Sequence, residues 1–111
     1  MGLIAYDGRV FEPVAFAGPG APPRGRYSQH KDFVWAEFSG SGLRGRRLVG
    51  RCGPDGAIDA AYCQVMADGE VVAGRCTSTP RLLADGRLRL TERWRRIDGT
   101  SGTSEIEEVA R

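Results

Sequence analysis

Five times along this chain an aspartate is followed directly by a glycine: Asp7-Gly8, Asp55-Gly56, Asp68-Gly69, Asp85-Gly86 and Asp98-Gly99. Both residues tolerate the positive φ that tight hairpins require, so each pair marks a reversal of the chain. Ser39-Gly40-Ser41-Gly42 is a further break, and Pro54 precedes the second pair. The segments between these marks run to roughly ten residues, the spacing of an antiparallel meander in which consecutive strands lie side by side.

Alternation within the segments agrees. From Leu88 to Arg95 one face carries Leu88, Leu90, Glu92 and Trp94, and the other carries Arg89, Thr91, Arg93 and Arg95. This period of two is the pattern of a half-buried strand. Ile58, Ala60, Tyr62, Gln64 and Met66 share a face, as do Val72, Gly74, Cys76 and Ser78. No window forms a convincing amphipathic helix, although Arg81-Leu82-Leu83 has room for one turn. Strands are expected near Leu3–Tyr6, Arg9–Val14, Arg26–His30, Phe33–Ser39, Leu43–Cys52, Ala57–Ala67, Glu70–Thr79, Arg87–Ile97 and Ser104–Val109. Ala17 to Gly25, rich in proline and glycine, is a loop, read either as a lid or as a surface connection.

With 111 residues the chain has room for one domain and one core, residues 1–111. Eight or nine short strands leave two edges to protect, and closure removes them. The expected fold is therefore all-β, an antiparallel up-and-down meander closed into a small barrel of the lipocalin and avidin kind; a flattened β-sandwich is the alternative. A barrel of eight strands holds side chains or one small ligand.

Composition excludes more than it selects. The 16 basic and 14 acidic residues nearly cancel, so no field points to nucleic acid or a membrane surface. The amino terminus has no signal-like apolar run, and no stretch approaches a membrane span. Cys52, Cys63 and Cys76 are odd in number and lack the spacing of a metal knuckle, which fits a cytoplasmic protein with free thiols. His30, the only histidine, has no Cys, Asp or Glu at ligand spacing and no recognisable nucleophile beside it. Neither a metal site nor a cofactor is expected, and no residue is assigned a catalytic role. The arginines Arg44, Arg46, Arg47 and Arg51, with Arg87 to Arg96, are read as a solvated face whose ion pairs reach Glu105, Glu107 and Glu108 across the last hairpin.

The candidate ligand site is the polar set at inward-phased positions: Tyr62, Gln64, Glu92 and Trp94, with Cys76. A carboxylate aimed into a barrel is costly unless it meets a partner or a ligand. Phe33 to Phe38 carries aromatics in both phases; if Trp35 faces inward, so does Glu37, and two carboxylates could share the lumen and divide acid and base roles. Three functions follow: a binding module for a small, largely apolar ligand in the lumen, a small enzyme using Glu92 and Glu37, or a structural β-domain with a filled core, with a homodimer compatible with each.

Several runs also resemble a family of small bacterial proteins of about this length. They are Asp7-Gly8-Arg9-Val10-Phe11, Ala36-Glu37-Phe38-Ser39-Gly40, Asp59 with Tyr62, Gly69-Glu70, Gly74-Arg75-Cys76-Thr77-Ser78-Thr79-Pro80, Leu88-Arg89-Leu90-Thr91-Glu92-Arg93-Trp94 and Ile106-Glu107-Glu108. Members often carry the name N-acetylglutamate synthase in genomes, and the resemblance implies a β-barrel. Cys63 and Thr77 stand where the relatives tend to have histidines. The usual acetyl-CoA loop precedes a helix whose amides bind phosphate. The nearest run here, Arg47-Leu48-Val49-Gly50-Arg51-Cys52, has no such helix in prospect.

Overall fold

The computed structural model describes residues 4–110. Eight strands run in chain order: β1 (Val10–Pro13), β2 (Arg24–His30), β3 (Phe33–Gly40), β4 (Leu43–Cys52), β5 (Ile58–Met66), β6 (Val71–Leu82), β7 (Leu88–Arg96) and β8 (Ser101–Glu108). Each pairs antiparallel with the next, and β8 returns to β1 to close the barrel. The sandwich alternative is excluded, and the described residues contain no helix.

The Asp-Gly turns act as their composition requires. In the β5–β6 hairpin the Gly69 N–H donates to the Met66 carbonyl at 2.9 Å, Gly69 takes a φ of 93°, and the Met66 N–H donates to Glu70. That is a type I turn followed by a glycine bulge. The Asp68 carboxylate accepts from the Glu70 N–H, and Asp55, Asp85 and Asp98 repeat the bond two residues on.

Asp7-Gly8 differs. Ile4 to Tyr6 form no strand, contrary to the expectation for Leu3–Tyr6 (Leu3 lies outside the described residues). The segment instead folds across one end of the barrel. Tyr6 is fully buried, and its hydroxyl donates to the Gly56 carbonyl at 2.5 Å. The Asp7 carboxylate and the Gly8 N–H bind the β2 backbone at Gln29 and Tyr27. Arg9 and the inward-turned Glu108 close the same end with an ion pair of 2.6 Å.

Three further boundaries move by two residues or more. β2 starts at Arg24, so the loop expected over Ala17 to Gly25 is the 14–23 connection. β8 starts at Ser101. β6 continues through Pro80 to Leu82, where a helical turn had room. Pro80 is tolerated because the Leu83 N–H bonds Arg87 of the β7 hairpin, which turns the Pro80 nitrogen to the opposite side, where β5 has already ended.

The inward faces form the core: Phe11, Tyr27, Val34, Ala36, Phe38, Leu48, Ile58, Leu88, Leu90 and Ile106 among others. Tyr27 sits in its centre, with the Phe11 ring 4.9 Å and the Phe38 ring 5.9 Å away. Three inward aromatics lie over glycines on the neighbouring strand: Phe38 over Gly25, Tyr62 over Gly74 and Trp94 over Gly102. A methyl group at Gly25 would stand 2.2 Å from the Phe38 ring, so the glycine makes room for the aromatic inside a narrow barrel.

Candidate functional site

The two ends of the barrel are unlike. Tyr6, Ile58 and Leu88 fill one. At the other, strand ends from β1, β3, β5 and β8 surround a cavity of about 820 Å³ that opens to solvent. Its wall is mostly apolar, with Phe16 and Pro23 from the 14–23 loop, Leu43, Met66 and Ile106, interrupted by Ser41, Gln64 and Glu105. The loop is tied down there: the Ser41 hydroxyl donates to the Pro19 carbonyl, and the Val14 N–H to Glu105.

The base of the cavity is polar. Arg46 and Glu92 both line it, with Arg46 Nη2 3.7 Å from Glu92 Oε2, too far for a hydrogen bond. The guanidinium stacks on Tyr62 at 4.5 Å and Phe38 at 5.2 Å from the ring centroids. Deeper still are the Tyr27 hydroxyl and Ser78, both fully buried. Tyr27 Oη, Ser78 Oγ, Glu92 Oε2 and Arg46 Nε are buried and make no hydrogen bond. Ser78 stands opposite Glu92 across the β6–β7 ladder, and its hydroxyl is close enough to act on the Glu92 carboxylate. Buried polar atoms are nearly always paired, so four unpaired ones in one small volume are unusual.

Electrostatics follow from that burial. Removal from water raises the Glu92 carboxyl above its ordinary range, opposed by the Arg46 guanidinium and the Ser78 hydroxyl. Burial also raises the Cys76 thiol to about 11, with the Glu92 charge acting in the same direction and Arg46 against it. Tyr27 is pushed up by desolvation first and by Glu92 second.

Of the residues singled out in the sequence, Gln64 and Glu92 line this cavity, Tyr62 supports Arg46 from below, and Cys76 is buried nearby. Trp94 faces inward but packs over Gly102, donates from Nε1 to Ser104 and borders a separate open depression among Asp59, Arg75, Arg93 and Thr103. Trp35 and Glu37 are corrected: β3 turns Val34, Ala36 and Phe38 inward, leaving Trp35 stacked on Phe33 and Glu37 paired with Arg47 on the outer surface. Glu37 and Glu92 therefore do not meet, which removes the two-carboxylate arrangement. Of the expected ladder, Arg87 and Arg89 do reach Glu107, whereas Glu108 points into the barrel.

Arg46, Tyr27 and Ser78 were not singled out as site residues. Alternation backward from Leu48 puts Arg46 on the inward face of β4, a signal masked by Arg44 and Arg47 beside it. Arg47 to Cys52, nearest to an acetyl-CoA loop, lies within β4 and is paired on both sides.

Closure, an eight-stranded up-and-down order, one sealed end and one open cavity define a barrel of the avidin type. The family model for avidin-like proteins matches residues 4–109, and the chain belongs to that family. No curated protein and no solved structure matches it significantly.

Proposed function

We propose that this protein is a binding module that holds one small, largely apolar molecule in the open end of its barrel. The observation that carries the reading is the set of unpaired polar atoms on Tyr27, Arg46, Ser78 and Glu92 beneath a mostly apolar mouth. Such groups cost stability where they are, and a bound polar group meeting Arg46 and Glu92, the two that line the cavity, would offset part of that cost. The cavity of about 820 Å³ falls in the size range of small-molecule sites. Membership of a family built on this barrel supports the same reading. Three free cysteines support a reducing, cytoplasmic setting.

The test is a fluorescence titration with N-phenylnaphthylamine, a neutral apolar dye that brightens on leaving water. One saturable site is expected. Leu43→Trp, which adds bulk at the mouth, should abolish it, while Trp35→Ala on the outer face should leave it unchanged. Loss of the dye site in Trp35→Ala together with retention in Leu43→Trp would refute the lumen as its location.

A further inference from the structure

Among the groups at the base of the cavity, Arg46 has the most selective chemistry. Its guanidinium is held flat by the rings of Tyr62 and Phe38. Its hydrogen-bonding capacity is only partly used: the Nε–H has no acceptor, Nη2 stands 3.7 Å from Glu92 Oε2, and the Cys76 thiol is its weak neighbour. A guanidinium edge offers two parallel N–H groups whose spacing suits the two oxygens of a planar carboxylate. A carbonyl or hydroxyl oxygen answers one of them only. Around the guanidinium Phe16, Leu43, Met66 and Ile106 give apolar surface for whatever follows the carboxylate outward, beside the polar Ser41, Gln64 and Glu105.

Charge supplies the second half. Arg46 and Glu92 together are neutral, and a second carboxylate beside them would leave an uncompensated negative charge in a dry site. One added proton restores neutrality. Glu92 is the group to receive it, being 4% exposed, with burial already disfavouring its charged form. Tyr27 and Cys76, the other titratable groups facing it beside Arg46, are kept protonated by burial through neutral pH and cannot supply the compensation.

Building on the lumen reading above, we propose that the ligand is an apolar monocarboxylate, seated on the Arg46 guanidinium and taken up with one proton that goes to Glu92. The charges balance: the carboxylate anion and the proton enter together, Glu92 becomes a neutral acid able to donate a hydrogen bond, and Arg46 keeps one anionic partner.

The test displaces N-phenylnaphthylamine from the intact protein with sodium octanoate, octanol and octylamine, which share a chain and differ in head group. Charge-assisted hydrogen bonds should let octanoate displace the dye at about one tenth the octanol concentration or less. Its affinity should weaken by up to about tenfold per pH unit as Glu92 ionises, and calorimetry in buffers of different ionisation enthalpy should find about one proton taken up. Glu92→Gln should remove both the proton uptake and the pH slope. Arg46→Gln in that background should reduce octanoate to the level of octanol. Octanoate no stronger than octanol, octylamine strongest of the three, or binding without proton uptake would each overturn the proposal while leaving the lumen reading intact. If the dye and octanol also fail to bind, the lumen reading fails with it.

Discussion

Removing the Tyr6 side chain should unseat the closed end of the barrel. Tyr6 is fully buried, its ring is 6.0 Å from that of Tyr27, and its hydroxyl donates to the Gly56 carbonyl in the β4–β5 turn. Tyr6→Phe keeps the ring and leaves that carbonyl without its donor, a loss of about 1–2 kcal/mol. Tyr6→Ala also leaves a void where a large side chain met the core, and truncations of this kind cost about 3–5 kcal/mol. A domain of this size loses roughly 4–8 °C of Tm per kcal/mol. Tyr6→Phe should therefore melt several degrees lower, and Tyr6→Ala more than about 10 °C lower. Thermal and guanidinium unfolding followed by circular dichroism measure both. A cost below about 1 kcal/mol for Tyr6→Ala would mean that residues 4–8 merely rest on the barrel, and the account of a sealed end would be wrong.

Stability should also have an alkaline limb. Burial raises the Tyr6 and Tyr27 phenols above their ordinary value of 10.0, so the folded state holds protons that the unfolded chain releases, and stability is lost as pH climbs past that value. In a Tyr62→Phe background, ultraviolet titration should find both phenols ionising only as the protein unfolds; reversible ionisation of that folded variant near pH 10.0 would contradict this. Gly74→Ala places a methyl carbon 2.3 Å from the Arg95 carbonyl oxygen, where only backbone movement gives relief, and should cost about 2 kcal/mol or more. Gly69→Ala meets open space but demands a φ of 93°, and should cost about 1 kcal/mol, so denaturant melts should rank the two in that order. Glu37→Gln breaks an exposed pair with Arg47 and should change stability by no more than about 0.5 kcal/mol.

Much of the barrel was legible because its turns are written in residue types that do little else. Asp-Gly pairs give a reversal and a bulge from local chemistry alone, and the strands between them needed only alternation. Sequence pattern and structure part where tertiary context decides. Ile4-Ala5-Tyr6 is apolar enough for a strand, but three residues carry no period, and the end of a closed barrel needs a plug more than a ninth strand. Phe33 to Phe38 offers aromatics in both phases. The choice fell on Val34, Ala36 and Phe38 because a narrow lumen accepts one large ring beside small neighbours, and because Phe38 fits over Gly25. Glu92 could be placed inside from the phase of Leu88 and Leu90. Its neighbour Arg46 was hidden, since arginines usually face water and β4 enters the sheet through an irregular register between Leu43 and Gly45. Tyr27 and Ser78 lie on well-patterned strands, but only closure of the sheet brings their hydroxyls to the same place.

The central claim, that the open end of the barrel is the ligand site, meets its most direct test in methyl-labelled NMR of the protein titrated with N-phenylnaphthylamine. Leu43, Met66 and Ile106 line the mouth, whereas Val49, Val71 and Ile97 are exposed apolar residues away from it. Saturable shifts confined to the first three, with one common dissociation constant, are the predicted result. Shifts concentrated on Val49, Val71 and Ile97, with the mouth unmoved, would contradict the claim and move the site to the outer wall.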